Sequence, residues 1–371
     1  MNRELTTAGT LNRRGFLKGL SFGAAGATMS ALGMSGCTVK AVKGGDTGQH
    51  RRLIARSGGS PVSFTASKDQ REAAYQALKP LQSDIERAIG DKQVVIKINS
   101  GQVREDWWLN ATDAKFVRGI LDFLKPFYGR EVIIAESTAA GAQSTMIGFE
   151  NYGYMPLLKE YKVRFVDLND EPSTTMWILN EDRHPLGIGV INTFIDPDIY
   201  LVSATRLKTH NCVIATLSLK NVVMAAPKNH YKQQESKDRN EKPKMHKGGN
   251  RGLSYNLFRL STMGIQPDLA VLDGVVGMEG DGPVTGTPIE QGVALASTDW
   301  LAADRLGVEL MGMDYDEVKY LHWCADAGMG QDDLSNIRVI GPDWKQHITK
   351  YKLHKNIEQQ REWIGEDYGK K

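Results

Sequence analysis

A chain of 371 residues is long enough for one large domain or two ordinary ones. Its 41% hydrophobic and 24% charged content suit a globular protein with a sizeable core. The first 36 residues carry Arg3, Arg13, Arg14 and Lys18 against Glu4, so 42 basic and 43 acidic residues remain beyond them. That balance argues against a nucleic-acid-binding protein, which would show a broad basic excess.

The N-terminal stretch Asn12-Arg-Arg-Gly-Phe-Leu-Lys18 precedes an uncharged run, Gly19 to Gly36, rich in Ala, Gly, Met and Ser. This pattern predicts a removable export signal over 1–36. It is of twin-arginine type, with Arg13 and Arg14 read by the twin-arginine translocase. The run falls short of the ~20 residues a membrane span needs. Met34-Ser-Gly-Cys37 resembles a lipobox, which makes Cys37 the expected lipidated first residue and the membrane anchor, in the periplasm or cell envelope. The twin-arginine route carries folded proteins and so suits a chain that acquires a cofactor inside. Only Cys212 and Cys324 follow Cys37, and there is no C-x-x-C pair. The chain therefore shows no iron–sulfur cluster or structural zinc signature of its own. A disulfide between the two is compatible with an oxidising compartment.

Residues 37–60 are polar and Gly-rich and read as a tether. Strand-like and helix-like runs then alternate. Lys68 to Ile89 has helical spacing, and Gln93 to Ile98 is strand-like. A helix starts at Thr112-Asp113 and ends near Tyr128. Glu131–Glu136 is a strand, Tyr152–Tyr161 a helix, and Val163–Asp167, Ile199–Ala204, Leu269–Asp273 and Gln291–Ala296 are strands. Ser297 or Thr298 caps a helix to Met311, and Asp314–Ala327 is helical. Such alternation, with continuous apolar strands, predicts an α/β layered domain over 61–345, with a largely parallel central sheet flanked by helices. Residues 227–252 interrupt it as an inserted lysine-rich loop, and 346–371 form a C-terminal extension.

Ligands of open α/β sheets bind beyond the carboxyl ends of the strands, so the residues expected there are the candidates. Lys97 and Asn99 close one strand, and Glu136 and Ser137 another. An ammonium inside the apolar run VVIKIN needs a partner, and Glu136 or Asp273 could serve, as part of a site or of a structural ion pair. Arg206, Lys208 and His210 alternate, so an extended segment puts all three on one face. That pattern predicts anion recognition, with a solvated strand edge as the plainer alternative. Lys220 and Asn221 follow, and Thr216 and Lys220 share a face if their run is helical. The stretch 273–283 reads as a glycine-rich acidic loop. Asp273, Glu279 and Asp281 there suit a hard cation or a general base rather than a phosphate. Asp299 stands at a helix start, where an N-cap role competes with ligand binding. His230 and His246 lie in the lysine-rich loop and, with His210, would suit a metal or a lid over an anion.

The runs VVIKIN, VIIAES, RLKTHNCVIATLSLKNVV, the later MH, LAVLDGVVGMEGDGPVTGTP and VALASTDWLAADRLG together resemble the domain-of-unknown-function family numbered 362. The resemblance covers roughly residues 90–335. Its strongest pieces are K-T-H…L-x-L-K-N and D-G-x-x-G-M-E-G-x-G-P. It implies functional roles for Lys97, Asn99, Lys208, His210, Lys220, Asn221, His246, Asp273, Glu279 and Asp299. Some members carry ferredoxin-like iron–sulfur modules, whose cysteines this chain lacks. It also departs from the family at Ile98, usually Pro, and at the AESTAAG loop.

Together these readings predict an exported, lipid-anchored protein that binds an anionic small molecule in a strand-end pocket. Lys208, Lys220 and His210 are the candidate catalytic groups. Lys97, Asn99, Glu136, Ser137, Arg206, Asn221, His246 and Asp299 are the candidate ligand contacts, with Asp273 and Glu279 holding a divalent metal. Redox or transfer chemistry fits this set. The alternative is a non-catalytic lipoprotein supporting a redox partner at the envelope.

Overall fold

Apolar runs such as Val94-Val-Ile96 and Tyr200-Leu-Val202 are buried at every position rather than at every second one. Strands of this kind must be covered on both faces. The computed structural model shows that arrangement; it describes residues 59–141, 143–231 and 240–365. The expected export signal, Arg13, Arg14, Cys37 and nearly all of the tether lie outside the described residues. No helix among the described residues is long and apolar enough to cross a membrane.

The strands are β1 (Ser60–Ala66), β2 (Gln93–Lys97), β3 (Val132–Glu136), β4 (Val163–Asp167), β5 (Ser173–Leu179), β6 (Pro185–Ile191), β7 (Ile199–His210), β8 (Ile214–Thr216), β9 (Leu269–Glu279), β10 (Thr287–Ser297) and β11 (Ile337–Ile340). The main sheet runs β11-β1-β10-β9-β7-β2-β3-β4, with β8 paired to the end of β7. Pairs β3–β4, β2–β3, β2–β7, β7–β9 and β1–β11 are parallel. Within this sheet, among the described residues, only β10 against its neighbours and β8 against β7 are antiparallel. The predicted α/β layered domain with a largely parallel sheet is the observed architecture.

Alternate residues of each strand feed two cores. Val95, Ile133, Leu201 and Leu272 join the cluster packed by the helices Gly249–Thr262, Trp300–Leu310 and Lys319–Asp326. Val94, Ile96, Ile134 and Val202 join the cluster packed by Gln70–Leu78, Gln82–Ile89 and Ala114–Leu124. Asp69 and Asp113 start two of these helices by accepting from Glu72 N and Lys115 N, which satisfies donors the first turn leaves open.

Several elements differ from expectation. Of the predicted helix 152–161 only Leu157–Glu160 is α-helical; a separate helix, Thr145–Asn151, ends just before it, and Gly153 at φ +76° parts the two. The acidic stretch expected as a glycine-rich loop from Asp273 is strand as far as Glu279. Its Gly277 faces the phenol of Tyr351 so closely that an added Cβ would lie 2.1 Å from the hydroxyl oxygen. The glycine there serves packing rather than flexibility. The chain 185–191 pairs with 173–179 as a separate hairpin. β1 begins at Ser60, within the expected tether. The C-terminal stretch also packs on the domain: Gln360 is buried, accepts from Ile214 N at 2.9 Å and donates to the His210 carbonyl at 2.9 Å.

Candidate functional site

Strands β2, β3 and β4 step outward in one direction, while β7 and β9 step away on the other side of β2. The strand order therefore reverses at β2–β7, and side chains at the carboxyl ends there face a crevice that no crossover fills. A cavity of about 440 Å³ occupies this position. Lys97 and Asn99 reach it from β2, Glu136 and Ser137 from β3, and Lys208 from β7. The helix Ser218–Val223 contributes Lys220 and Asn221, and Met224 and Ala225 extend that wall. Asn240, Lys242, Pro243 and His246 close the opposite side.

The wall holds four lysines and a single carboxylate, Glu136, among the described residues. Lys97, 1% exposed, shares its strand face with Val95 and so points toward the helix Ser218–Val223. Its ammonium donates to Glu136 Oε2 at 3.0 Å, Asn221 Oδ1 at 2.7 Å and the Ile98 carbonyl at 2.5 Å. Burial lowers its pKa and Glu136 opposes that. Glu136 also accepts from Ser100 N at 2.5 Å and Ser137 N at 2.7 Å, so the pair is hydrogen-bonded on both sides.

Lys208 extends from β7 and donates to Asn99 Oδ1, to the Asn110 carbonyl at 2.6 Å and to the Pro283 carbonyl at 3.4 Å. Burial, then the charges of Lys220 and Arg206, push its pKa well below the ordinary lysine value. Lys242 donates to Ser137 Oγ and to the carbonyls of Met224, Ala225 and Pro227 at 2.8 to 3.2 Å. Burial brings it down to about 7. Lys220 is buried and hydrogen-bonds to none of the described residues. Burial brings it down to about 8. Beside it the Thr216 hydroxyl, set opposite Lys208 by the β7–β8 register, is buried without a partner among the described residues.

The short helix carrying Lys220 and Asn221 starts where Ser218 N and Leu219 N donate to Asp304, at 2.8 and 3.0 Å. Burial raises Asp304 to about 7 despite those two bonds. Asn221 in turn donates to Ser203 Oγ at 3.0 Å and accepts from Asn99 Nδ2 at 2.9 Å. Strands β2 and β7, their side-chain amides and the helix thus form one polar lattice beneath the cavity.

The structure brings Lys97, Asn99, Glu136, Ser137, Lys208, Lys220, Asn221 and His246 to one cavity. It places the other candidates elsewhere. His210 does not line the cavity; it is buried near Lys220, its Nδ1 accepting from Cys212 N at 3.0 Å. Burial, then the Lys220 charge, holds it well below the ordinary histidine value, so it is neutral. Arg206 turns away, donating to the carbonyls of Ala111 and Val276 with its guanidinium over Trp108. Asp299 caps the helix Trp300–Leu310 and accepts from Ser60 Oγ at 2.5 Å. Because β10 runs antiparallel to β9, its end delivers Asp299 to the rim opposite the cavity.

Asp273 and Glu279 do not meet. They sit six residues apart on one strand, which spans roughly 20 Å. Asp273 is fully buried and accepts from Val275 N, whereas Glu279 accepts from Lys352 N. Among the described residues, no three His, Cys, Asp or Glu side chains group as a metal would require. The sequence does not single out Lys242, one lysine among several in the inserted lysine-rich loop. The Pro243 and Met245 beside it are the one sign that this part turns inward, and Met245 is fully buried.

Comparison with known proteins adds three findings. The family described as domain of unknown function (DUF362) matches residues 94–309. The thylakoid-associated protein sll1697 of Synechocystis sp. is 27% identical over 199 residues, covering 51% of this chain. The chain spans about half of that relative's length, 52%. The lactate racemase apoprotein of Thermoanaerobacterium thermosaccharolyticum shares 12% identity at a TM-score of 0.39, over 69% of this chain and 57% of its own. The matched span runs from β2 through most of the helix Trp300–Leu310 and takes in the lysines of β2, β7 and the short helix. The chain belongs to the domain-of-unknown-function family DUF362.

Proposed function

We propose that this protein binds an anionic small molecule in the strand-end cavity. The observation that carries this reading is the charge of the wall. Lys97 is neutralised by Glu136, but Lys208, Lys220 and Lys242 face the cavity with no carboxylate bonded to them. Three ammonium groups gathered out of water repel one another and cost folding free energy. A bound carboxylate or phosphate relieves that cost, so the site is arranged for negative charge. The apolar wall from Met224, Ala225 and Pro243 suits the body of a small organic anion. Titration calorimetry of the purified protein with phosphate and with a small dicarboxylate, at low ionic strength, tests this. Heat that saturates at one anion per chain supports it, and no heat with either overturns it.

The same proposal includes export by the twin-arginine translocase, cleavage before Cys37 and lipid anchorage there, a reading supported by the N-terminal pattern over 12–37. Labelling with a tagged fatty acid checks the anchor, since Cys37→Ser should abolish it. A second reading has the cavity bind without turnover, in a lipoprotein that serves a membrane-associated redox complex. The Synechocystis relative's name, which ties it to the thylakoid, favours that reading. Metal and chromophore analysis of natively exported protein separates the two. A stoichiometric metal or chromophore favours an enzyme, and a bare anion-binding protein favours the accessory role.

A further inference from the structure

The four cavity lysines divide by their hydrogen bonds. An ammonium has three donors. Lys97 spends three on Glu136, Asn221 and Ile98, and Lys208 spends three on Asn99, Asn110 and Pro283. Lys242 is surrounded by four acceptors. Each of these three nitrogens is fixed in a socket of acceptors and is not free to turn toward a carbonyl carbon. Lys220 is buried and in the cavity wall, yet has no acceptor among the described residues. Burial disfavours its ammonium form, against the nearby Cys212 sulfur and with the Lys97 charge adding to the cost.

We propose that Lys220 is a nucleophilic amine that forms an imine with an anionic aldehyde or 2-oxo acid bound in the strand-end cavity. This deepens the anion-binding reading and rests on it. The fixed cations hold the carboxylate or phosphate, and the ligand's carbonyl carbon lies toward Lys220. The neutral amine attacks that carbon with its lone pair, and the C=O π bond opens. The resulting carbinolamine then loses its oxygen as water, taking the two hydrogens of the original amine. A C=N bond replaces C=O, with no oxidant or reductant involved. The Thr216 hydroxyl faces the same cavity without a partner among the described residues and suits the transient oxyanion as a donor. His246 stands exposed at the cavity wall, near enough to feel the Lys220 charge, with neither ring nitrogen bonded to a described residue. A neutral imidazole there carries protons between nitrogen and oxygen. Burial brings the Lys220 amine to about 8, so an appreciable fraction is unprotonated near neutral pH.

The test is reductive trapping on the full chain with pyruvate and sodium cyanoborohydride, followed by peptide mass spectrometry. The expected result is one reduced adduct, mapped to Lys220, formed at least tenfold faster than on any other lysine and slowed by excess phosphate. Lys220→Arg, which keeps the charge but loses the nucleophile, should remove the adduct. Calorimetry with phosphate and pyruvate is run in parallel. Binding without trapping, or adducts spread evenly over the lysines, overturns the imine and leaves the anion site standing. Absence of both binding and trapping overturns both.

Discussion

Replacing Lys220 with methionine should make the protein more stable, although it removes the proposed binding group. The ammonium is 7% exposed, and burial holds it at about 8 against 10.5 for a free lysine. That displacement corresponds to roughly 3 kcal/mol of folding free energy. The sign follows from the direction. Below pH 8 the lysine is protonated in both folded and unfolded chains, and the folded chain bears the full cost of desolvation. Between pH 8 and 10.5 the folded chain sheds the proton while the unfolded chain keeps it, so the cost fades. Above 10.5 both are neutral and the cost is gone. Methionine has nearly the same shape and no charge to bury. Lys220→Met should therefore gain up to about 3 kcal/mol at pH 7 in urea unfolding, with the gain shrinking toward pH 10.5. A variant no more stable than the parent at pH 7, or with a gain independent of pH, would refute the claim that this ammonium is buried and uncompensated.

Other outcomes follow from the same charges. Anion binding favours the ammonium forms of Lys220 and Lys242, whose unliganded values are about 8 and 7. Phosphate affinity, read by calorimetry, should be highest below pH 7 and fall as pH rises through 7 to 8, with proton uptake on binding. Lys97→Met strands Glu136 in the interior and should cost about 3 to 5 kcal/mol in urea unfolding; the double variant Lys97→Met with Glu136→Leu should recover much of that. Asp304→Ala leaves Ser218 N and Leu219 N without their acceptor. It should cost about 2 to 4 kcal/mol and weaken phosphate binding, because the helix that presents Lys220 loses its anchor. A Lys220→Arg chain that destabilises as strongly as Lys97→Met would show that the two sites are not different in kind.

Much of this was legible in the chain itself. The apolar runs at Val94, Ile133 and Leu201 announce doubly buried strands, and charged residues at their ends announce a site. Lys97 is legible because an ammonium in such a run must be paired. What the sequence hides is direction and partnership. Asp299 ends a strand as Glu136 does, but β10 runs the other way and carries it to the opposite rim. Arg206 and Lys208 alternate on one strand, yet a register shift between them in the β7–β9 ladder separates their environments. Asp273 and Glu279 resemble a cation loop only until β10 pairs alongside and draws that segment into the sheet. Lys242 is one lysine among many, and it turns inward because carbonyls of 224–227, remote in sequence, form its socket.

The central claim is that the strand-end cavity holds negative charge at Lys220. Crystals of the described domain grown with tungstate, a heavy oxyanion, test it by anomalous scattering. The account predicts a peak inside the cavity, within hydrogen-bond reach of Lys220 Nζ and the Thr216 hydroxyl. Tungstate bound only on the outer surface, with the cavity empty at saturating concentration, would contradict it.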